Sequence, residues 1–215
     1  MRSTKAATRL GLTDIPDSWA WMRRDVLVRL LPFAAMCLAV ELVWRPSWSG
    51  AGGGRLGVQL AFGIASAPIL FAAATLVQLR LARRRGWLSV PSGPADAGFQ
   101  AAYYLLNGPI EEAFFRGLVQ GGLSALIAPP VGFVAGTAIY VLYHRLGWAW
   151  PETLATLLLG VPLGLAFWLL PGPPSLLGVS IAHVAATCGF LGPGPYLLKR
   201  LGLVGAPPDR RLEAR

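Results

Sequence analysis

Charge is scarce in this sequence. Of its 215 residues, 13% are Asp, Glu, Lys or Arg, against roughly 25% in soluble domains. Such a chain cannot coat a globular surface with its own polar groups, which argues against an ordinary soluble domain. Cysteine is limited to Cys37 and Cys188, both inside apolar runs and without a CxxC. That excludes a disulfide framework and leaves each as a small hydrophobe. Histidine occurs only at His144 and His183. The net charge of +9 does not form a basic stripe interleaved with aromatics, so nucleic acid is not an expected partner. The basic residues gather instead at the ends of apolar runs, as the positive-inside rule requires. Lys5, Arg9, Arg23 and Arg24 precede the first run like the basic end of a signal peptide, but no small-residue cleavage site follows. A retained cytoplasmic start is expected, with a short amphipathic helix around Trp19 and Trp21.

What the sequence does have is apolar residue, 54% of the chain, in runs near the ~20 residues a bilayer crossing needs. The pattern predicts an all-α polytopic transmembrane bundle of about six spans. The first runs from Val26 to Trp44 and the second from Leu56 to Leu79, which ends at Arg80, Arg83, Arg84 and Arg85. A Gly-rich loop, Ser49 to Gly54, separates them. From Gly98 to Ile127 the chain is apolar but for Asn107-Gly108-Pro109 and a few charges. This third span is too long to cross untilted, so it is tilted, kinked at Pro109, or begins outside the membrane. The fourth spans Val131 to Gly147, the fifth Pro151 to Leu170, and the sixth Ser175 to Gly189; Leu191 to Leu203 can form a further short helix. An even count puts both termini on one side, with Arg80–Arg85, Lys199, Arg200, Arg210 and Arg211 in the cytoplasm. The expected organisation is an N-terminal segment with two spans over 1–97, a helical core over 98–203 and a disordered tail over 204–215.

Between Gly98 and Leu198 the formal charges are Glu111, Glu112, Arg116, Arg145 and Glu152. Arg145 and Glu152 bracket a turn between spans and are expected at the interface. Glu111, Glu112, Arg116, His144 and His183 remain at membrane depth, where an ionisable group costs about 2.5–3.5 kcal/mol and is normally functional. Glu112 and Arg116 stand four apart on one helix face and can pair. Glu111 lies about 100° further round, with no local partner, free to face the bundle interior as a general base. A purely structural reading competes: Pro109 followed by two acids is also how a helix begins. Each histidine alone could be a hydrogen-bonding strut between helices. Three helices each supplying an acid or an imidazole make a stronger pattern than any one of them. Gly117 with Gly121, and Gly160 with Gly164, form small-xxx-small pairs suited to close helix approach.

These residues carry a resemblance. Glu111-Glu112-Ala113-Phe114-Phe115-Arg116 fits EExxxR, Tyr140 to His144 fits an aromatic-xxx-His motif usually written FxxxH, and His183 to Thr187 fits a loose HxxxN. In this order they resemble the CAAX protease and bacteriocin-processing family of intramembrane proteases, over about Gly98 to Phe190. Tyr140 stands for the usual Phe, and Thr187 for the Asn of eukaryotic-type members. The resemblance implies an endopeptidase in which Glu111 and His144 activate a water, His183 and Thr187 stabilise the oxyanion, and Glu112, Arg116 and Tyr140 support the site. It implies a membrane-anchored protein or peptide as substrate. The Gly-, Ala-, Arg- and Pro-rich composition suits a bacterial inner membrane, where a C-terminal sorting tag, as cut by the similar myxosortases, is a better substrate than a prenylated CAAX box. The family was long classed as metalloprotease, and Glu111, His144 and His183 could ligate zinc. The sequence lacks HExxH spacing, which favours a metal-free glutamate protease. Two other functions compete: a non-catalytic bacteriocin-immunity or scaffold protein, and a proton-coupled transporter using Glu111 and Glu112. No inverted repeat supports transport.

Overall fold

The computed structural model describes residues 18–52, 54–85 and 88–204. Lys5 and Arg9, and the expected tail from 205 with Arg210 and Arg211, lie outside the described residues. Among the described residues, helices are the regular structure. The chain runs through α1 (Ser18–Asp25), a π-helical turn (Val26–Leu30) and α2 (Leu31–Trp44), then α3 (Leu56–Arg85). It continues through α4 (Pro94–Glu112), a π-helical stretch (Ala113–Gly121) and α5 (Gly122–Leu126). Then come α6 (Pro129–His144), α7 (Trp150–Ala155), α8 (Leu157–Leu169), α9 (Leu177–Phe190) and α10 (Pro193–Arg200).

Proline sets many of these starts. Pro94, Pro129, Pro151 and Pro193 occupy the first turns of α4, α6, α7 and α10, where the missing N–H costs nothing and φ is already helical. Among the described residues, four stretches are long and apolar enough to cross a membrane: Ser18–Trp44, Leu56–Arg84, Trp150–Leu169 and Leu177–Arg200. The other two expected spans are also helical. The stretch 94–126 carries Glu111, Glu112 and Arg116, and α6 has 16 residues, roughly 24 Å of helix. The first helix starts at Ser18 rather than Val26, so the amphipathic segment around Trp19 and Trp21 is continuous with the span. The third continues through Pro109, and its hydrogen-bond register changes only after Glu112, where the π-helical stretch begins.

α2 buries none of its residues, and Leu38, Leu42 and Val43 stand exposed on it as lipid-facing side chains. The central core joins Leu70 and Ala74 of α3, Phe115, Tyr140 and Val141, Leu163 and Phe167 of α8, and Val179, Ala182 and Ala186 of α9. α9 packs along α3 and also against α4, which links the second span directly to the core helices, while the first span meets the π-helical stretch Ala113–Gly121 and α4. At one end of the bundle Leu198 packs with Leu79, Ala82 and Leu88, and Gln100 Nε2 donates to Ser18 Oγ at 3.0 Å. The basic residues Arg23, Arg24, Arg80, Arg83, Arg84, Lys199 and Arg200 therefore gather toward that end.

The small-residue pairs meet different partners. Gly160 and Gly164 do admit a helix: a Cβ there would sit 3.1 Å from Tyr140 and 3.0 Å from Phe133, both on α6. Gly117 and Gly121 instead admit the short 3-10 turn Ser47–Ser49, which folds back onto the π-helical stretch. A Cβ at Gly121 would lie 2.4 Å from the Trp48 carbonyl oxygen, a backbone atom that cannot swing aside. Gly121→Ala should destabilise the purified protein by about 1–3 kcal/mol, read as a lower thermal midpoint in detergent. Gly52→Ala, where a Cβ meets nothing within 4 Å, should leave the midpoint unchanged.

Candidate active site

Glu111 and Glu112 are the last two residues of α4, and both are buried. Arg116 follows in the π-helical stretch and is fully buried. A π turn of this kind redirects side chains relative to a regular helix and recurs at functional sites. Arg116 Nε lies 3.4 Å from Glu112 Oε2, but neither atom has a hydrogen-bond partner, so the pair is an ionic contact without a directed bond. The guanidinium is held elsewhere: Nη2 donates to the Gly160 carbonyl at 3.0 Å, Nη1 to Gln120 Oε1 at 3.3 Å, and its carbon lies 5.0 Å from the Tyr140 ring centroid. The expected Glu112–Arg116 pair is therefore present, locked against α6 and α8.

Glu111 has no partner on its own helix, in line with its position beside the Glu112–Arg116 face; across the fold it accepts a hydrogen bond from Arg29 Nη1. Arg29 comes from the π turn of the first span, 82 residues away in sequence. It also donates from Nε to Asp25 Oδ1 at 2.8 Å, and from Nη2 to Asp25 Oδ2 at 2.5 Å, Asn107 Oδ1 at 2.5 Å and Tyr103 Oη at 3.1 Å. The Tyr103 hydroxyl donates to Asp25 in turn. The signal for this cluster was in the sequence: Asp25 and Arg29 stand four apart at the start of an apolar run, the spacing that marks Glu112 and Arg116. Only the partner across the fold was not legible.

The two histidines are oriented by different acceptors. His144 ends α6, and its Nδ1 lies 2.8 Å from the Tyr140 carbonyl oxygen. A carbonyl only accepts, so Nδ1 carries the hydrogen and Nε2 of the neutral ring keeps its lone pair. His183 on α9 sits between both carboxylates, with Nδ1 2.6 Å from Glu112 Oε1 and Nε2 3.5 Å from Glu111 Oε2. Thr187 follows one turn later on the same helix.

Arg29, Glu111, Tyr140, His144, His183 and Thr187 line one cavity of about 100 Å³. Glu112 and Arg116 are not among its lining residues and stand behind it. The cavity walls also carry Trp21, Tyr103, Tyr143 and Trp148 together with aliphatic Leu158, Leu159 and Leu191, so the polar groups face a space lined by apolar and aromatic side chains. Among the described residues, no group of three or more His, Cys, Asp or Glu side chains is arranged to hold a metal ion.

Residues 93–188 match the family described as type II CAAX prenyl endopeptidase Rce1-like. This stretch belongs to that family. The Rce1-like segment contains Glu111, Glu112, Arg116, Tyr140, His144, His183 and Thr187, and it leaves out Asp25 and Arg29. Neither the curated proteins nor the solved structures give a match. The match indicates a membrane endopeptidase of the CAAX type, a class whose substrates are membrane-associated proteins. The helices long and apolar enough to cross a bilayer agree with that class.

Proposed function

We propose that the chain hydrolyses a peptide bond of a membrane-anchored substrate with Glu111 as general base. Glu111 Oε1 is bonded to Arg29, which leaves Oε2 to take a proton from a water. The water oxygen attacks the scissile carbonyl carbon. His144, with Nε2 unprotonated, accepts or returns the proton during the reaction. The oxyanion that forms is stabilised by His183 and the Thr187 hydroxyl. The C–N bond then breaks, and the proton taken from water passes to the leaving amine. Glu112, Arg116 and Tyr140 keep His183 and the end of α4 in place. The observation that carries this reading is the shared cavity: Glu111, His144, His183 and Thr187 all line it, while the second carboxylate stands behind. His144→Ala should therefore lower cleavage of a membrane-anchored reporter by about 10²–10⁴ without loss of protein from the membrane. Cleavage within a few-fold of the parent would remove His144 from the mechanism.

The substrate we favour is a C-terminal sorting tag or similar membrane peptide, in a bacterial inner membrane. The site is read as metal-free. Glu111, His144 and His183 are the residues that would ligate zinc, but one oxygen of Glu111 is bonded to a guanidinium and His183 Nδ1 to Glu112. A dication at Glu111 would have to displace Arg29 or share its carboxylate. Activity should survive exhaustive chelation. Stoichiometric zinc in the purified protein, with activity lost on its removal and restored on its return, would reverse this assignment.

Both termini are assigned to the cytoplasm, supported by the gathering of basic residues at one end of the bundle. Reporters fused at either end should be active only when they function inside the cell. A C-terminal reporter active only outside would overturn the assignment.

A further inference from the structure

We infer that Arg29 of the first span is a positioning residue of the active site, so that the site is completed by a helix outside the Rce1-like segment. This rests on the reading of Glu111 as the general base. Three observations carry it. First, Arg29 bonds Glu111 through one oxygen only, and Oε2 is left toward His183 Nε2. A carboxylate gripped on one oxygen cannot rotate about its last bond, so the catalytic oxygen is fixed in direction. Second, Arg29 is itself immobilised. Both edges of its guanidinium are bonded, to Asp25 in two places and to Asn107 and Tyr103, and Asp25 is buried. A cation held only by Glu111 would follow the carboxylate instead of orienting it. Third, Asp25 offsets the charge of Arg29, so the triad of Asp25, Arg29 and Glu111 keeps one negative charge for proton abstraction. The fork geometry is needed for this, because a lysine presents a single point of charge and cannot span Asp25 and Glu111 at once.

The role is distinct from substrate binding and from simple packing. A positioning residue lowers kcat and leaves KM alone, because a misplacement of about 1 Å in the base can cost roughly 10²-fold in the chemical step. The test uses the full chain in lipid vesicles with a membrane-anchored reporter peptide at varied surface density. Arg29→Ala should lower kcat about 100-fold with KM within about twofold, and added methylguanidinium should restore at least tenfold of the loss while sodium does not. Arg23→Gln, an exposed position on the same helix, should match the parent. Should Arg29→Ala fail to accumulate, Arg29→Lys takes its place, with kcat expected about tenfold down. The inference is overturned if Glu111→Gln is inactive while both Arg29 variants keep parental kcat, or if the loss at Arg29 falls in KM. If Glu111→Gln cleaves like the parent, the reading of Glu111 as base has failed first, and the role of Arg29 falls with it.

Discussion

Glu111→Gln should leave a folded protein that cleaves its reporter at least 10²–10⁴ times more slowly, the usual worth of a general base. The amide keeps the shape of the side chain, and its oxygen can still accept from Arg29. Arg29 also keeps both bonds to Asp25 and those to Asn107 and Tyr103, so no cation is orphaned. The thermal midpoint should therefore move little. Membrane abundance and the thermal midpoint, measured beside cleavage, separate loss of chemistry from loss of fold. A folded Glu111→Gln protein that cleaves normally would move the scaffold and transporter readings ahead.

Glu112→Gln should fail in the opposite way. Glu112 and Arg116 are both fully buried, and removing one charge of such a pair costs about 3–5 kcal/mol because the other is left uncompensated. The Gly160, Gln120 and Tyr140 contacts of Arg116 are neutral and cannot replace the countercharge. Protein should accumulate poorly, with activity falling in step. Replacing both charges, Glu112→Gln with Arg116→Met, should recover much of the lost accumulation, since an apolar isostere of a buried pair is often neutral or better. A Glu112→Gln protein as abundant and as thermally stable as the parent would show that the pair is not structural.

The contrast between the neighbouring carboxylates shows what was legible in the sequence. The i, i+4 spacing of Glu112 and Arg116 is a local fact of one helix face, and it was readable without the fold. The partner of Glu111 was not, because Arg29 lies on another span and only packing brings it near. That the amphipathic helix around Trp19 and Trp21 runs unbroken into the first span was hidden for a related reason. Arg23, Arg24 and Asp25 break the apolar run, yet Asp25 is buried and paired with Arg29, so hydropathy undercounts a helix that satisfies its own charges. The π turns that carry Arg29 and Arg116 were not legible, since a change of hydrogen-bond register is set by packing and not by residue type. Small-xxx-small spacing announced close approach at Gly117 and Gly121, but not that a loop would be the partner in place of a helix. Run length was the durable signal for the all-helical fold and for the four stretches long and apolar enough to cross a membrane, because it answers to the bilayer itself.

Hydrolysis of a membrane-anchored peptide at the cavity holding Glu111, His144 and His183 can be read by mass analysis of such peptides after incubation with the purified full chain in lipid vesicles. C-terminally tagged candidates would be tested in parallel with the Glu111→Gln protein. The parent should give paired fragments whose masses sum to the substrate plus one water, and the variant should leave the substrate intact. Fragments produced equally by parent and variant would contradict hydrolysis at this cavity.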